Sequence, residues 1–314
     1  MSENAVIVGH PSNFWLWTET EGFDLTHPAT PNSLPIYPRI KFQTVTSPVT
    51  ITPTKTAMVI IDMQNYFLSA ALGRPKGEGL KAEAALLEHA IPAARKAGIR
   101  IIWLNWGLTE ESLKKAPPAM YRAFGFQKLK IDERASLSRS ETAHGTSNSQ
   151  PQTVNQKKAN QDIGVSLGKV TLEDGTNIEA GLMLMRDQWN TALHPPLDAA
   201  YRQGLETKVP DMWFHKDRPT GLWGGSTECE EFLEAQGIRT LLFAGVNADQ
   251  CVLSTLQDAN SKGFDCILLR DCSGTTSPEY AGLAVEFNCA NTWGFMSSGE
   301  RLAEGVDNME TQSG

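Results

Sequence analysis

Seven consecutive residues, AMVIIDM (57–63), are apolar except for one acid near their end. A run this short, rich in β-branched residues and without polar alternation, suits a strand covered on both faces rather than the half-wet strand of an open antiparallel sheet. It is followed by LKAEAALLEHAIPAARKAG (80–98), in which Leu80, Ala84, Leu87, Ile91 and Ala94 recur at helical spacing before a terminal glycine. A second apolar run, RIIWLNW (100–106), comes next. Strand, helix and strand in that order form a parallel crossover unit.

The same rhythm occupies the C-terminal third. DMWFHK (211–216) reads as a strand, and STECEEFLEAQG (226–237) as a helix opened by a Thr227/Glu230 capping box. RTLLFAGV (239–246), DQCVLSTLQDANSKG (249–263), FDCILLRD (264–271), PEYAGLAVEFNCANT (278–292) and WGFMS (293–297) then alternate strand and helix. Six strands with intervening helices predict a three-layer α/β/α, doubly wound, mainly parallel sheet of the Rossmann-like kind.

Two segments break the pattern. Residues 1–55 carry scattered aromatics (Phe14, Trp15, Trp17, Phe23, Tyr37) with no period of 2 or 3.6, which suggests an extended N-terminal arm laid over a domain or subunit surface. Residues 108–195 form an insertion in the 56–305 domain, expected to cover a pocket. Its polar middle, SLSRSETAHGTSNSQPQTVNQKKANQ, reads as a mobile loop, and an Asp174-Gly175 turn predicts a β-hairpin. Residues 306–314 are a tail.

The formal charge of −8 disfavours phosphate backbones and anionic membranes as partners. No apolar run approaches the roughly 20 residues of a membrane span, and the N-terminus has no basic start followed by an apolar stretch. A cytoplasmic protein acting on a small molecule is the expectation. Five cysteines with no CxxC pair disfavour both a disulfide framework and a structural zinc site.

In open α/β sheets ligands bind beyond the carboxyl ends of the strands. Three residues end strands there or follow directly: Asp62, Lys216 and Cys251. Cys251 opens a helix after a glycine-containing turn, where backbone N–H groups and the helix dipole favour thiolate. The bland reading of a free cysteine is core packing, and Cys229, Cys266, Cys272 and Cys289 are read that way. An acid can take a thiol's proton and return it to a leaving amine, and a lysine offsets the negative charge, so the three together would make an acyl-transfer site. A Cys251–His215 pair is the rival, but strand alternation sends His215 away from Lys216.

The segments VIIDMQNYF, HKDRPTGLWG, GIRTLLFAGVNADQCVLSTLQDANSKGFDCILLRD and PEYAGLAVEFNCANTWGF resemble, in order and spacing, the isochorismatase-like cysteine hydrolases. The likeness spans roughly residues 50–305 outside 110–180, and GVNADQCV with the following Asp258-Ala259 is its most specific part. It implies an Asp62, Lys216 and Cys251 triad, a cis peptide at Val246-Asn247, an oxyanion hole from the Asn247 and Cys251 N–H groups, and a strand order of 3-2-1-4-5-6. Where nicotinamidases of the family carry an Asp-x-His metal cluster, this chain reads LNWGLTEE, so no metal or other cofactor is expected.

The WNTAL and TGLW segments look most like the ureidoacrylate and carbamoyl amidohydrolase branch. Asn65, Phe67, Trp106, Trp189 and Trp223 are the candidate substrate-binding walls, and a homodimer or homotetramer is the expected assembly. Two other functions fit the same fold: an isochorismatase-type ether hydrolase, which would not need Cys251, and a non-catalytic scaffold.

Overall fold

A computed structural model describes residues 5–126 and 162–311. The chain divides into two compact units, Met1–Trp106 with Ala192–Gly314, and Gly107–Thr191. The described strands are, in chain order, β1 (Val6–His10), β2 (Asn13–Thr18), β3 (Gly22–Asp24), β4 (Ile40–Gln43), β5 (Pro48–Ile51), β6 (Thr56–Ile61), β7 (Arg100–Trp106), β8 (Lys169–Thr171), β9 (Asn177–Glu179), β10 (Met212–Lys216), β11 (Thr240–Val246), β12 (Asp265–Gly274) and β13 (Phe295–Ser297).

The first unit is built on a six-stranded sheet in the order β10-β7-β6-β11-β12-β13, with every pairing parallel. Numbered among themselves, these strands read 3-2-1-4-5-6. The chain therefore reverses direction across the sheet between β6 and β11, the place where such folds leave a crevice. All six residues of β6 and all seven of β11 are buried, and each strand is apolar after its leading threonine, as a strand covered on both faces requires. One face packs Met58, Ile60, Ile101, Trp103, Leu242, Ala244, Ile267 and Leu269 against Leu86, Ala94 and Leu302 of the covering helices.

The helix between β6 and β7 is interrupted where the periodicity predicts continuity. Glu78–Ala85 gives way to a π-turn over Leu86–Ala90 before Ile91–Ala97 resumes. Pro92 has no N–H and its ring would crowd the carbonyl one turn back, so the wider turn in front of it relieves both problems. Gly98 ends the helix in the left-handed region (φ +77°).

The N-terminal arm expected over residues 1–55 has regular structure of its own. It folds into a five-stranded sheet, β1-β2-β3-β5-β4, whose Ile40, Phe42, Val49 and Ile51 join the main core. Its aromatics leave water by stacking, with Phe23 and Trp15 lying 5.3 and 5.5 Å from Phe295. Strands of three to six residues are too short to display a period of two.

In the second unit β8 and β9 pair antiparallel around the Asp174-Gly175 turn, as the hairpin signal predicts. The polar stretch 136–161 lies outside the described residues. Among the described residues, no helix is long and apolar enough to cross a membrane.

Candidate active site

β6 stops at Ile61 and the next residue, Asp62, turns the backbone into the left-handed region (φ +55°), a conformation aspartate tolerates better than most residues. Its carboxyl is fully buried. Asp62 Oδ1 accepts the Trp106 backbone N–H at 3.1 Å. Asp62 Oδ2 lies 2.9 Å from Lys216 Nζ.

Lys216 ends β10, two strands from β6, so its ammonium must cross about 10 Å of sheet. It does so over β7: Lys216 pairs in register with Trp106, and its Nζ rests 3.9 Å from the centre of the Trp106 ring. A cation over an indole face is held by the ring quadrupole, which fixes the long side chain in a dry place. Lys216 Nζ also donates to the Arg218 carbonyl at 3.2 Å. His215 points elsewhere, against Trp213, at a ring distance of 5.8 Å.

Cys251 lies in the first turn of the helix after β11. Asn247 is the N-cap, Ala248–Val252 form a π-type turn, and Leu253–Ser261 continue as α-helix. The Val246-Asn247 peptide is cis. Ile61 of β6 is the register partner of Gly245 in β11, so the residues that follow both strands emerge side by side. The Cys251 thiol is buried beside the Asp62 carboxyl, close enough for each to shift the other's proton affinity.

The charges in this cluster are mutually dependent. Burial pushes the Asp62 carboxyl above the usual carboxylate range, while the Lys216 cation and the neighbouring Cys251 thiol pull it back. Burial likewise pushes the Cys251 thiol up to about 12; Lys216 opposes this, the Asp62 charge reinforces it, and the Trp106 indole N–H opposes it. The helix start was expected to favour thiolate. Desolvation outweighs the dipole here, because a buried sulfur has no water to share its charge.

The structure thus brings together Asp62, Lys216 and Cys251, and each expected substrate wall has its own surroundings. Trp106 is fully buried and serves the cluster as a platform for Lys216. Asn65 is buried, and its backbone N–H donates to the Ala192 carbonyl at 2.9 Å. Phe67 is half-buried and stacks edge-on with Tyr66 at 5.0 Å. Trp223 is 42% exposed, donates to Asp217 Oδ1 at 3.2 Å and carries Arg218 on its face at 4.8 Å. Trp189 belongs to the second unit, in a 3-10 turn with Asn190 and Thr191. There Asn190 Nδ2 donates to the Ala180 and Leu182 carbonyls at 2.8 and 2.9 Å, tying its own loop together.

Two residues went unnoticed in the sequence. Gln64 donates to the Trp106 carbonyl at 2.8 Å and accepts its N–H at 3.1 Å, so it extends the sheet by one side chain and holds Trp106 beneath Lys216. It has the same parity as Asp62, the only clue to it. Thr255 donates to the Cys251 carbonyl at 2.8 Å and accepts the Gly221 N–H at 3.3 Å, pinning the loop after β10 to the cysteine's helix. The i, i+4 spacing from Cys251 was available. Among the described residues, no three of His, Cys, Asp and Glu gather as metal ligands would.

The isochorismatase domain model matches residues 180–287. The chain is 23% identical over 270 residues to a ureidoacrylate amidohydrolase of Rhizobium rhizogenes, covering 83% of this chain and 89% of that one. It is 25% identical over 260 residues to the enzyme of the same name from Azorhizobium caulinodans, covering 80% and 90%. A cysteine hydrolase structure from Pseudomonas syringae superposes with a TM-score of 0.53 at 13% identity, over 87% of this chain and 99% of that one. An isochorismatase family protein from Desulfovibrio vulgaris gives 0.50 at 14% identity, over 81% and 98%. The two structures share the fold, and the sequence matches over four-fifths of the chain agree with it. Through the domain model over residues 180–287 and the relatives that align with most of its length, the chain is similar to the isochorismatase-like hydrolases.

Proposed function

We propose that this protein hydrolyses a carbon–nitrogen bond in a small ureido or carbamoyl amide through a thioester on Cys251. The observation that carries the reading is the convergence of a thiol, a carboxyl and an ammonium in one buried cluster, drawn from three strand ends. The relatives named ureidoacrylate amidohydrolase support the reaction and substrate class.

A thiol held near 12 is ionised to only about one part in 10⁵ at pH 7, so a base must act during the attack. Asp62 takes the Cys251 proton as the sulfur bonds to the carbonyl carbon. The oxyanion is received by the backbone N–H groups of Asn247 and Cys251 at the positive end of the helix. Asp62 then delivers the proton to the leaving nitrogen as the carbon–nitrogen bond breaks. In the second half, Asp62 takes a proton from water, the oxygen attacks the thioester, and the proton returns to sulfur. Lys216 stays charged throughout and offsets whichever of its two partners is anionic.

The test is ammonia or amine release from a panel of ureido, carbamoyl and simple amide compounds, with Cys251→Ala as the control. Turnover by the native chain and a loss of at least about 10³-fold in the variant are expected. Full activity in a pure Cys251→Ala sample would remove the nucleophile from the mechanism.

A further inference from the structure

At the end of the sheet opposite Cys251, the chain enters β6, β11 and β12 side by side. The Arg239 N–H donates to the Lys55 carbonyl at 2.8 Å, and the Asp265 N–H to the Arg239 carbonyl at 2.9 Å. Here the β1–β2 turn and residues 27–29 enclose a cleft of about 340 Å³, lined among others by Asn13, His27, Pro28, Lys55 and Arg239.

The charges in this cleft do not balance. Asp265 is buried and already engaged: it accepts the Trp15 indole N–H at 2.7 Å and the Thr240 hydroxyl at 2.8 Å, and sits 2.6 Å from His27 Nε2. Lys55 and Arg239 have only neutral oxygens. The Lys55 ammonium donates to the His27 carbonyl at 2.5 Å, and the Arg239 guanidinium to Asn13 Oδ1 at 3.0 Å. Among the described residues, neither cation has a carboxylate partner. Burial first, and then the nearby Arg239 charge, lower the Lys55 pKa, so the two cations feel each other. In a chain of net charge −8, carboxylates are abundant, yet among the described residues the nearby one, Asp265, is turned to His27, Trp15 and Thr240 and not to either cation.

We infer that this cleft binds a small phosphate-type dianion, free or esterified, between Arg239 and Lys55. A dianion would relieve the repulsion between them; the guanidinium offers a planar pair of donors and the ammonium a compact charge. The site is separate from the Cys251 cluster. It lies at the amino ends of β6 and β11, the strands whose carboxyl ends lead to Asp62 and Cys251, and about 20 Å of strand intervenes.

Isothermal titration of the full chain with inorganic phosphate, against sodium chloride at matched ionic strength, tests this, with glycerol phosphate as the ester arm. Saturable binding is expected for phosphate, weakened at least tenfold by Arg239→Gln and by Lys55→Gln and unchanged by Lys96→Gln, an exposed lysine elsewhere. Tighter binding of the ester than of phosphate would identify an esterified ligand, and equal binding the free ion. No saturation in the native chain, the same response to chloride, or unchanged affinity in both cleft variants would overturn the inference. If neither variant folds, protection of native Lys55 from acetylation by phosphate decides it: protection sustains the site, and equal labelling with and without phosphate overturns it.

Discussion

At the scale of single residues, the Asp62–Lys216 pair is a liability that the fold accepts. Both side chains are buried, and each charge withdrawn from water has the other as its one counter-charge among the described residues. Lys216→Met should leave a buried carboxylate, and Asp62→Asn a buried ammonium, each costing about 3 kcal/mol of unfolding free energy. The double variant, having no charge left to strand, should be more stable than the sum of the singles by about 2 kcal/mol, read from urea unfolding; additivity would mean the pair is not coupled. Cys251 shows the same desolvation. With its thiol pushed up to about 12, alkylation by iodoacetamide should rise about tenfold per pH unit from pH 7 to 9 without levelling off. Peptide mass spectrometry would read this, and a plateau below pH 8 would mean the sulfur is far better solvated than its surroundings indicate.

At the scale of elements, β11 has to approach β6 closely enough to bring Cys251 beside Asp62. Gly245 makes this possible: it sits at φ +119°, and a Cβ there would fall 2.1 Å from the Ile61 carbonyl oxygen. Gly245→Ala therefore strains the backbone and collides with β6, and a loss of more than about 3 kcal/mol, seen as a large fall in Tm or as insoluble protein, is expected. Thr255→Val keeps the shape but strands the Gly221 N–H. It should lower kcat several-fold while costing only about 1 to 2 kcal/mol, and unchanged kinetics would show that the loop needs no such anchor. The strands and the cysteine's helix were legible because a strand covered on both faces is made mostly of apolar residues, so β6, β7 and β11 announce themselves. Gln64 and Thr255 were not, because a side chain that hydrogen-bonds to backbone leaves no periodic trace. Trp106 was legible as a large residue at a strand end, but not as the platform beneath Lys216, since that depends on β7 lying between β6 and β10.

At the scale of the whole molecule, strand order is what a linear reading could not supply from the residues; it came only from resemblance, and the sheet has that order. The five-stranded sheet of residues 6–51 stayed hidden because its strands draw their burial from distant partners such as Phe295. A collective property follows from where the thiols end up. All five cysteines are buried, and desolvation pushes Cys229, Cys251 and Cys289 up to about 12, with Cys266 and Cys272 raised as well. The unfolded chain would release these protons near a thiol's ordinary value of 9.0, whereas the folded chain holds them. The unfolded state thus binds fewer protons above pH 9, and stability must fall as pH rises. Each retained proton costs the folded chain more with every pH unit above 9, and the five act in the same direction. The Tm should hold steady from pH 7 to 8.5 and drop steeply by pH 10.5. Cys266→Ala should start from a lower Tm because of its cavity, yet lose stability less steeply as pH rises, having one thiol proton fewer to retain. A Tm that stays flat to pH 10.5 would mean that the thiols titrate as freely in the folded chain as in the unfolded one.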